Sequence, residues 1–224
     1  MLSAGLIVKL QDEETRAGHG KTETAAPATG PEPEASADPD AAWLAAVRSQ
    51  HQANFELWHI EDEARAPGAT DAELAAVKRR VDRTNQRRND LAERLDRALL
   101  AWLEPRGLPN PAAELNSESP GLMIDRLSIL ALKIYHTREE AERTGAPAGH
   151  AERNLDRLAI LEEQRRDLAE CLDTLWRKTL EGKRRFKLYR QLKMYNDPLL
   201  NPAIYGDSRS CGSPEDENAS RPPS

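Results

Sequence analysis

The sequence predicts an all-α protein: an antiparallel bundle of four main helices and a short basic C-terminal helix, with disordered tails at both ends. Three observations lead to this prediction. Between residues 41 and 205, apolar side chains recur at steps of three and four residues, the period of an amphipathic helix. Glycine and proline residues interrupt the pattern where helices are expected to end. No segment shows the alternation of apolar and polar residues that is typical of strands.

The folded domain is predicted to span residues 41–205. Of the 224 residues, those from 12 to 40 carry eight acidic and two basic side chains, so this stretch alone accounts for the net charge of -6. Residues 1–40 are rich in alanine and proline and have little to bury, so we expect a disordered acidic tail. The polar residues 206–224 are expected to form a second disordered tail. The acidity therefore says little about partners of the folded domain.

Helix-end signals divide the folded domain into elements. The first helix is predicted to begin near residue 40 and to end at Pro67 and Gly68. Thr70 and Glu73 have the spacing of a capping box, which opens a longer second helix that reaches about residue 103. The next stop signal follows directly, in a short segment that contains proline and glycine.

The third helix is predicted to begin at Ser119 and Pro120, because proline suits the first helical position, and to reach about residue 143. It is apolar nearly all round, so we expect it to be the central helix. The fourth helix is predicted over residues 151–181, with Gly182 at its C-terminal end. A short basic helix is predicted over residues 183–195.

The composition excludes several classes of protein. Mean hydropathy is -0.74, and no apolar run approaches the roughly 20 residues that a membrane-spanning helix needs, so no membrane association is expected. Two cysteines, Cys171 and Cys211, are too few for a disulfide framework, which indicates a reducing compartment. Because no secretory signal is evident either, we expect a cytoplasmic protein. The sequence contains no glycine-rich phosphate loop and no dinucleotide fingerprint.

Polar side chains occupy helix faces where apolar residues are expected. On the first helix, those within about 60° of Trp58 are His51, Asn54, Glu61, Asp62 and Arg65, with His59 at the edge of that arc. On the second helix they are Thr84, Asn85, Arg88, Asn89 and Asp90. On the third helix Asp125 and His136 share a face, because eleven residues are almost three turns. We expect these polar groups to converge inside the bundle.

Two interpretations of these polar groups stay open. Buried charges need partners, and a structural network that fixes the register of the helices would supply them. Alternatively, the groups line a pocket between helices, which is where bundles build their sites. In that case His59 or His136, close to Glu61, Asp62 and Asp125, would serve as general acid or base.

A metal site is a weaker interpretation. Glu56 and His59 have the Glu-x-x-His spacing of di-iron bundles, but no second such pair occurs and Glu56 points away from the inner face. We therefore assign no metal ligand, and the cofactor is unknown. Cys171 is expected to be a small core residue and not a nucleophile.

A basic segment between Lys178 and Lys193 is a second candidate region. Aromatic side chains are interleaved with its positive charges, a combination that suits phosphate binding and stacking on a base or sugar. Nucleic acid is not expected as a partner, because the segment is short and the chain is acidic overall. A phosphorylated sugar or a nucleotide-sugar fits better, and a solvated basic face is the alternative. The phosphate-binding side chains would be Arg184, Arg185, Lys187, Arg190 and Lys193.

Four strings in the sequence resemble those of a known family. They are LWHIED at residues 57–62, NQRRND at 85–90, NSESPG at 116–121 leading into IDRLSILALKIYH at 124–136, and KMYNDP at 193–198. Together they resemble an uncharacterised bacterial family of helical domains of unknown function. The resemblance implies an association with genes for glycan and aminoglycoside biosynthesis, of the streptomycin type. It also adds the loop from Asn116 to Glu118 and the turn from Tyr195 to Asp197 to the candidate site.

The sequence therefore leads to one main prediction of function and one alternative. The main prediction is a cytoplasmic protein of sugar, glycan or aminoglycoside-type biosynthesis that binds a phosphorylated sugar or nucleotide-sugar. The alternative is a non-catalytic adaptor that docks a glycosyltransferase or a second copy of the chain. The candidate catalytic residues are His59, Asp62, Glu61, His136 and Asp125. The candidate substrate-binding residues are Asn54, Arg65, Asn85, Arg88, Asn89, Asn116, Glu118, Arg185, Lys193, Tyr195, Asn196 and Asp197.

Overall fold

A computed structural model describes residues 2–20 and 39–192 of the chain, and these residues are mostly helical. They form five helices: α1 (Ala4–Gly20), α2 (Pro39–Glu63), α3 (Asp71–Leu103), α4 (Pro120–Glu142) and α5 (His150–Leu180). One turn of 3-10 helix, Glu104–Arg106, follows α3. Two short strands, β1 (Glu114–Leu115) and β2 (Arg184–Arg185), pair in parallel. The all-α class is confirmed.

Helix α1 corrects the expectation that residues 1–40 form a disordered tail. Its buried residues include Ala4, Ile7 and Leu10, which belong to the main core. Its two other buried side chains, Gln11 and Thr15, are polar, so the sequence of α1 contains too few apolar residues to look like a core helix. Packing against the other helices stabilises it, as is usual for helices of this length. The rest of the predicted tail, residues 21–38, lies outside the described residues, as do residues 206–224.

The predicted basic helix over residues 183–195 is also wrong over its described part. Arg184 and Arg185 form strand β2, and residues 186–192 have no helix or strand assignment. Gly182 ends α5 with a φ of 68°, in the left-handed region where glycine is favoured. Phe186 is then buried in the main core. Burial of this ring, together with pairing to β1, stabilises an extended chain here instead of a further helix.

The predicted helix ends at α3 and α4 are confirmed. Thr70 and Glu73 form both hydrogen bonds of the capping box at the start of α3. The Ser119 hydroxyl caps α4, with Pro120 in the first turn. A buried carboxylate reinforces this start, because Asp96 of α3 accepts hydrogen bonds from the Ser119 hydroxyl and from the Gly121 amide.

Helix α4 is the central element of the described residues. It contacts each of the other four helices, and both of its faces contain buried residues. Two ion pairs link α2 and α3: Glu63 pairs with Arg80, and Glu56, two turns earlier on α2, pairs with Arg87. These contacts place the second half of α2 beside the first part of α3. Both helices also pack against α4.

Two further features concern the chain as a whole. In the ranges that the structure describes, no helix combines the length and the apolar character that crossing a bilayer requires. Contacts assign the chain to two units, Met1–Arg190 and Gln191–Ser224, and only residues 191 and 192 of the second unit are among the described residues. All helices and strands described above lie in the first unit.

Candidate functional site

Asp125 on α4 is the centre of a buried polar network. Its Oδ1 atom accepts hydrogen bonds from Gln50 Nε2 at 2.6 Å and from Asn54 Nδ2 at 3.0 Å, both on α2. Arg88 of α3 donates from Nε to Oδ1 at 2.8 Å and from Nη2 to Oδ2 at 2.5 Å. Both carboxylate oxygens therefore have partners. The bidentate contact with Arg88 offsets the free-energy cost of burying the Asp125 carboxylate.

The network continues to Ser128, which lies one turn further along α4, and from there to His51 of α2. Thr15 donates its hydroxyl hydrogen to the Gln11 carbonyl oxygen at 2.7 Å, so its oxygen accepts from His51 Nε2 at 3.0 Å. His51 Nδ1 then carries a lone pair and accepts from the Ser128 hydroxyl at 2.8 Å. This arrangement requires a neutral imidazole, and burial lowers the pKa of His51 to about 4.

Three of the predicted polar residues form hydrogen bonds with one another between the helices. Asn54, Arg88 and Asp125 meet, as the helical phase predicts, and they join α2, α3 and α4 in one register. Asp125 is buried and its oxygens are occupied, so its geometry suits a structural role better than the predicted catalytic one. His51 and Ser128 are fully buried as well, and their pairing serves the same network.

A cleft opens beside this network, between α2, α3 and α4. Its volume is about 440 Å³, within the range of small-molecule sites. Asn54 and Arg88 lie on the inner wall, between the cleft and the buried network. The other lining residues are Leu57, Trp58, Glu61, Asp62, Arg65, Ile129 and Leu132. Five residues of the predicted site therefore line one cleft.

The outer edge of the cleft carries exposed charges. Arg65 donates from Nη1 to the carbonyl oxygen of Glu61 at 2.7 Å, and its guanidinium lies 3.4 Å from the Glu61 carboxylate and 3.6 Å from Asp62. These pairs are solvent-exposed, so each contributes little energy and the side chains can exchange partners. Trp58 presents a half-buried indole to the same cleft.

Three histidines form a separate cluster behind Trp58, where α1, α2 and α4 meet. The ring centroid of His19 lies 5.1 Å from that of His59 and 4.8 Å from that of His136. His59 and His136 are 6.2 Å apart by the same measure. His136 stacks on the Trp58 indole at 4.9 Å, and His19 stacks on Tyr135 at 4.3 Å. The predicted residues His59 and His136 therefore adjoin the cleft without lining it.

Hydrogen bonds fix the tautomers of two of these histidines. His19 Nδ1 lies 2.8 Å from the Thr15 carbonyl oxygen, and His136 Nδ1 lies 3.1 Å from Glu139 Oε2. Both partners accept, so each Nδ1 carries a hydrogen, and in a neutral ring the corresponding Nε2 carries a lone pair. Both Nε2 atoms are buried and have no hydrogen-bond partner.

The pKa values of two cluster residues are perturbed. Burial lowers the pKa of His59, and the neighbouring His19 and His136 lower it further, against the opposing charges of Asp62 and Glu63. Burial likewise lowers the pKa of His136, with His19 as the second cause. With side chains as they stand, no group of three or more His, Cys, Asp or Glu residues within 2–20 and 39–192 could hold a metal ion.

Two predicted binding residues on α3 lie near the cleft without lining it. Asn85 is half-buried, and its Oδ1 lies 3.5 Å from Arg88 Nη1, so it supports the guanidinium that binds Asp125. Asn89 is half-buried on the same helix and is not among the lining residues. The proximity of Asn85 to Arg88 follows from helical spacing, because residues three positions apart are neighbours on a helix surface.

A second group of predicted residues lies at the paired strands β1 and β2. The backbone N–H of Asn116 donates to the carbonyl oxygen of Arg185 at 2.8 Å, and Arg185 Nε donates to the Ala113 carbonyl oxygen at 2.8 Å. The Glu118 carboxylate pairs with Arg126 at 2.9 Å. These contacts hold the loop before α4 against β2. The structure thus places these predicted residues apart from those that line the cleft.

Part of the described basic segment is engaged in contacts within the chain, whereas Lys187 and Arg190 are exposed. Arg184 pairs with Glu114 at 3.0 Å, and Lys183 pairs with Glu181 at 2.8 Å. This geometry offers less to a phosphate than the sequence suggests. The remaining predicted binding residues, Lys193, Tyr195, Asn196 and Asp197, lie outside the described residues.

Sequence reasoning missed His19, Gln50 and Ser128. Gln50 and Ser128 lie next to recognised positions on the same helix faces, so helical phase could have found them. His19 lies in a stretch taken for a disordered tail, and no local signal marks its approach to His59 and His136.

Comparisons with known proteins give one match. The family model described as "Protein of unknown function (DUF4254)" matches residues 44–188. The matched range contains the cleft, Asp125 with its three partners, and two of the clustered histidines, whereas α1 and His19 precede it. No curated protein matches the sequence. No solved structure matches it.

Proposed function

We propose that the cleft of this chain, which belongs to the DUF4254 family of unknown function, binds a phosphorylated sugar or a nucleotide-sugar. In this proposal the protein acts in bacterial biosynthesis of a sugar, a glycan or an aminoglycoside-type antibiotic, in the cytoplasm. The helices α2 to α5 form an antiparallel bundle in this view, and bundles commonly build ligand sites between facing helices.

The observation that carries the proposal is the composition of the cleft around Trp58. An indole offers a flat apolar surface that suits the C–H face of a sugar ring, and the carboxylates of Glu61 and Asp62 can accept hydrogen bonds from hydroxyl groups. Arg65 is the exposed cation of the cleft and would bind a phosphate. Arg88 already binds Asp125, so it would hold the wall and not the ligand.

The proposed roles of these residues differ from the roles predicted from the sequence. Glu61 and Asp62 face the cleft and would contact the ligand directly, whereas Asp125 and Asn54 support the wall. His136 would act on the ligand only through Trp58, because it stacks on the indole. His59 belongs to the histidine cluster and does not line the cleft.

Calorimetric titration tests the proposal with three ligands: a nucleoside-diphosphate sugar, a hexose phosphate and the same hexose without phosphate. Trp58→Ala should abolish binding of all three. Arg65→Ala should weaken only the phosphorylated ligands, by about 10- to 100-fold, which is the value of a charged hydrogen bond of roughly 1.5–3 kcal/mol.

Arg106→Ala is the matched control, because this exposed arginine stacks on Trp102 at the far end of α3. It should leave every affinity unchanged. If none of the three ligands binds to folded wild-type protein, the proposal is wrong. If Arg65→Ala and Arg106→Ala have equal effects, the assignment of the phosphate to Arg65 is wrong.

The adaptor remains a second candidate because of one surface feature. Leu155 and Ile160 on α5 are large apolar residues, and their exposed fractions are 55% and 54%. An adaptor would bury them against a glycosyltransferase or a second copy of the chain. Light scattering of the wild type and of Leu155→Asp tests the second copy: a dimer that the substitution dissociates would favour the adaptor.

A further inference from the structure

We propose that residues 11–20, the C-terminal half of α1, form a pH-sensitive clasp. The neutral rings of His19, His59 and His136 hold the clasp against α2 and α4, and protonation of these rings releases it. The proposal rests on the contacts of the clasp with the two helices and on the packing of the three rings. It is independent of any ligand in the cleft.

The contacts of the clasp with α2 depend on uncharged rings. The Thr15 hydroxyl accepts a hydrogen bond from His51 of α2 at 3.0 Å. The ring centroid of His19 lies 4.8 Å from that of Phe55 of α2. A Cβ on Gly18 would lie 2.6 Å from the Phe55 ring, so the backbone of the clasp packs directly on this ring. The clasp therefore lies against one imidazole and one phenyl ring of α2.

Toward α4 the clasp ends in the three clustered histidines. His19 stacks on Tyr135 of α4 at 4.3 Å, with 16° between the two ring planes. The centroid of His19 also lies 4.8 Å from that of His136 and 5.1 Å from that of His59. Neutral imidazoles pack at these separations, whereas protonated imidazoles repel one another at short range. Acid therefore weakens the contact between the clasp and the other two rings.

Protonation also creates buried donors without acceptors. The Nε2 atoms of His19 and His136 are buried and have no hydrogen-bond partner within the described part of the chain. In each neutral ring Nε2 carries a lone pair, because Nδ1 carries the hydrogen. A protonated ring carries an N–H at both nitrogens, and a buried N–H without an acceptor destabilises the packed state. Release of the clasp brings water to both atoms and removes this penalty.

The charged groups around the cluster do not reverse this effect. Burial, followed by the proximity of His19, lowers the pKa values of His59 and His136. Three carboxylates act in the opposite direction and are outweighed: Asp62 and Glu63 of α2 and Glu139 of α4. Both lowered pKa values depend on the clasp, because it supplies His19 and covers the two rings.

Other charged groups of the clasp are engaged elsewhere. Glu14 pairs with Arg48 of α2 at 2.6 Å, and Asp12 pairs with Arg165 of α5 at 2.7 Å. Glu14 also acts on His51, whose pKa it raises against the larger effect of burial. Both arginines stay protonated in acid, so these ion pairs hold the clasp without contributing a histidine.

The sign of the pH effect follows from the lowered pKa values. A histidine whose pKa in the folded chain lies below the ordinary 6.5 contributes stability that is fully present above pH 6.5 and is lost as the pH falls. Each histidine that is neutral under the docked clasp and protonated after release favours the released state by up to about 10-fold at pH 5.5.

Hydrogen–deuterium exchange of the full-length protein at pH 7.5 and pH 5.5 tests the proposal, because backbone exchange measures local opening. Rates are divided by the intrinsic rates at each pH, which gives protection factors. At pH 5.5 the protection of residues 11–20 should be lower by about 10-fold or more. Residues 168–180 of α5 contain the core residues Leu172 and Leu175 and serve as the internal reference. Their protection should fall by less than about threefold.

Histidine variants identify the rings that respond to pH. The double variant His59→Gln and His136→Gln leaves the sequence of α1 intact and should reduce the loss of protection in residues 11–20 to about threefold or less. His150→Gln is the matched control, because this histidine pairs with Glu140 away from the cluster. It should show the loss of the wild type. Circular dichroism at both pH values verifies that each variant is folded.

A further variant weakens the clasp without removing a histidine. Arg165→Gln removes the ion pair between α5 and Asp12 of the clasp. It should lower the protection of residues 11–20 by the same factor at both pH values, and the loss between pH 7.5 and pH 5.5 should stay as in the wild type.

Three results would overturn the proposal. They are an equal loss of protection in residues 11–20 and 168–180 of the wild type, an unchanged loss in the folded double variant, and a loss that disappears in His51→Gln but persists in the double variant. If the double variant does not fold, the comparison of the two segments in the wild type decides alone. None of these measurements involves a sugar, so the outcome is separate from that of the proposed function.

Discussion

Replacing Asp96 by Asn should make the stability of this protein fall steeply in acid, because Asp96 and His51 respond to pH in opposite directions. Both side chains are nearly inaccessible to solvent. Burial lowers the pKa of His51 to about 4, and burial raises the pKa of Asp96 to about 6 against the hydrogen bonds from Ser119 and Gly121.

For His51 the unfolded chain binds the proton first. Its ordinary pKa is 6.5, so its contribution is fully present above pH 6.5 and is lost as the pH falls toward 4. Between pH 7.5 and pH 5 the loss in the free energy of unfolding is about 2 kcal/mol.

For Asp96 the folded chain binds the proton first. The ordinary pKa of this side chain is 3.8. The stability that its protonation in the folded chain contributes is therefore fully present below pH 3.8 and is lost as the pH rises through 6. Acidification from pH 7.5 to pH 5 therefore restores about 1.5 kcal/mol. In the wild type this gain offsets most of the loss at His51.

Urea denaturation followed by circular dichroism at pH 7.5 and pH 5 measures these changes. Relative to the wild type, Asp96→Asn should lose about 1.5 kcal/mol more on acidification, and His51→Gln should lose about 2 kcal/mol less. Other titrating groups are common to all three proteins and cancel in the comparison. The reasoning would be refuted if both variants showed the pH dependence of the wild type, or if the two shifts had the same sign.

Three further substitutions test other parts of the structure, each by chemical denaturation at pH 7.5. Arg88→Met leaves a buried carboxylate without its charged partner and should cost about 3–5 kcal/mol; a cost below 1 kcal/mol would contradict the buried network. Gly121→Ala should cost about 1–3 kcal/mol or more, because its Cβ would lie 2.3 Å from the Ala92 carbonyl oxygen; a neutral effect would contradict the close approach of α3 and α4. Ile7→Ala should cost about 2–5 kcal/mol while its exposed neighbour Leu6→Ala costs less than about 0.5 kcal/mol, and equal costs would contradict the packing of α1.

Much of the helical framework could be predicted from local sequence signals. The capping box at Thr70 and the Ser119–Pro120 start depend on neighbouring residues alone, and both are confirmed. The meeting of Asn54, Arg88 and Asp125 also follows from helical phase, because residues on one face of each helix point toward the same axis.

The errors lie where tertiary contacts decide the structure. Helix α1 has only a short apolar face, and it is stable because Ile7 and Leu10 pack into a core built mainly by other helices. Arg184 and Arg185 lie in a segment with helical character, yet pairing with β1 and burial of Phe186 hold it extended. Local propensity is weak compared with such packing.

The sequence by itself determined the all-α class, the start signals of α3 and α4, and the polar face shared by α2, α3 and α4. Only the tertiary structure decided how those polar residues divide between a buried network at Asp125 and an open cleft at Trp58. It also brought His19 beside His59 and His136, over 40 and 117 positions of sequence. The physical reason is that helical periodicity specifies the direction of a side chain around its own axis, whereas packing between helices specifies which side chains meet.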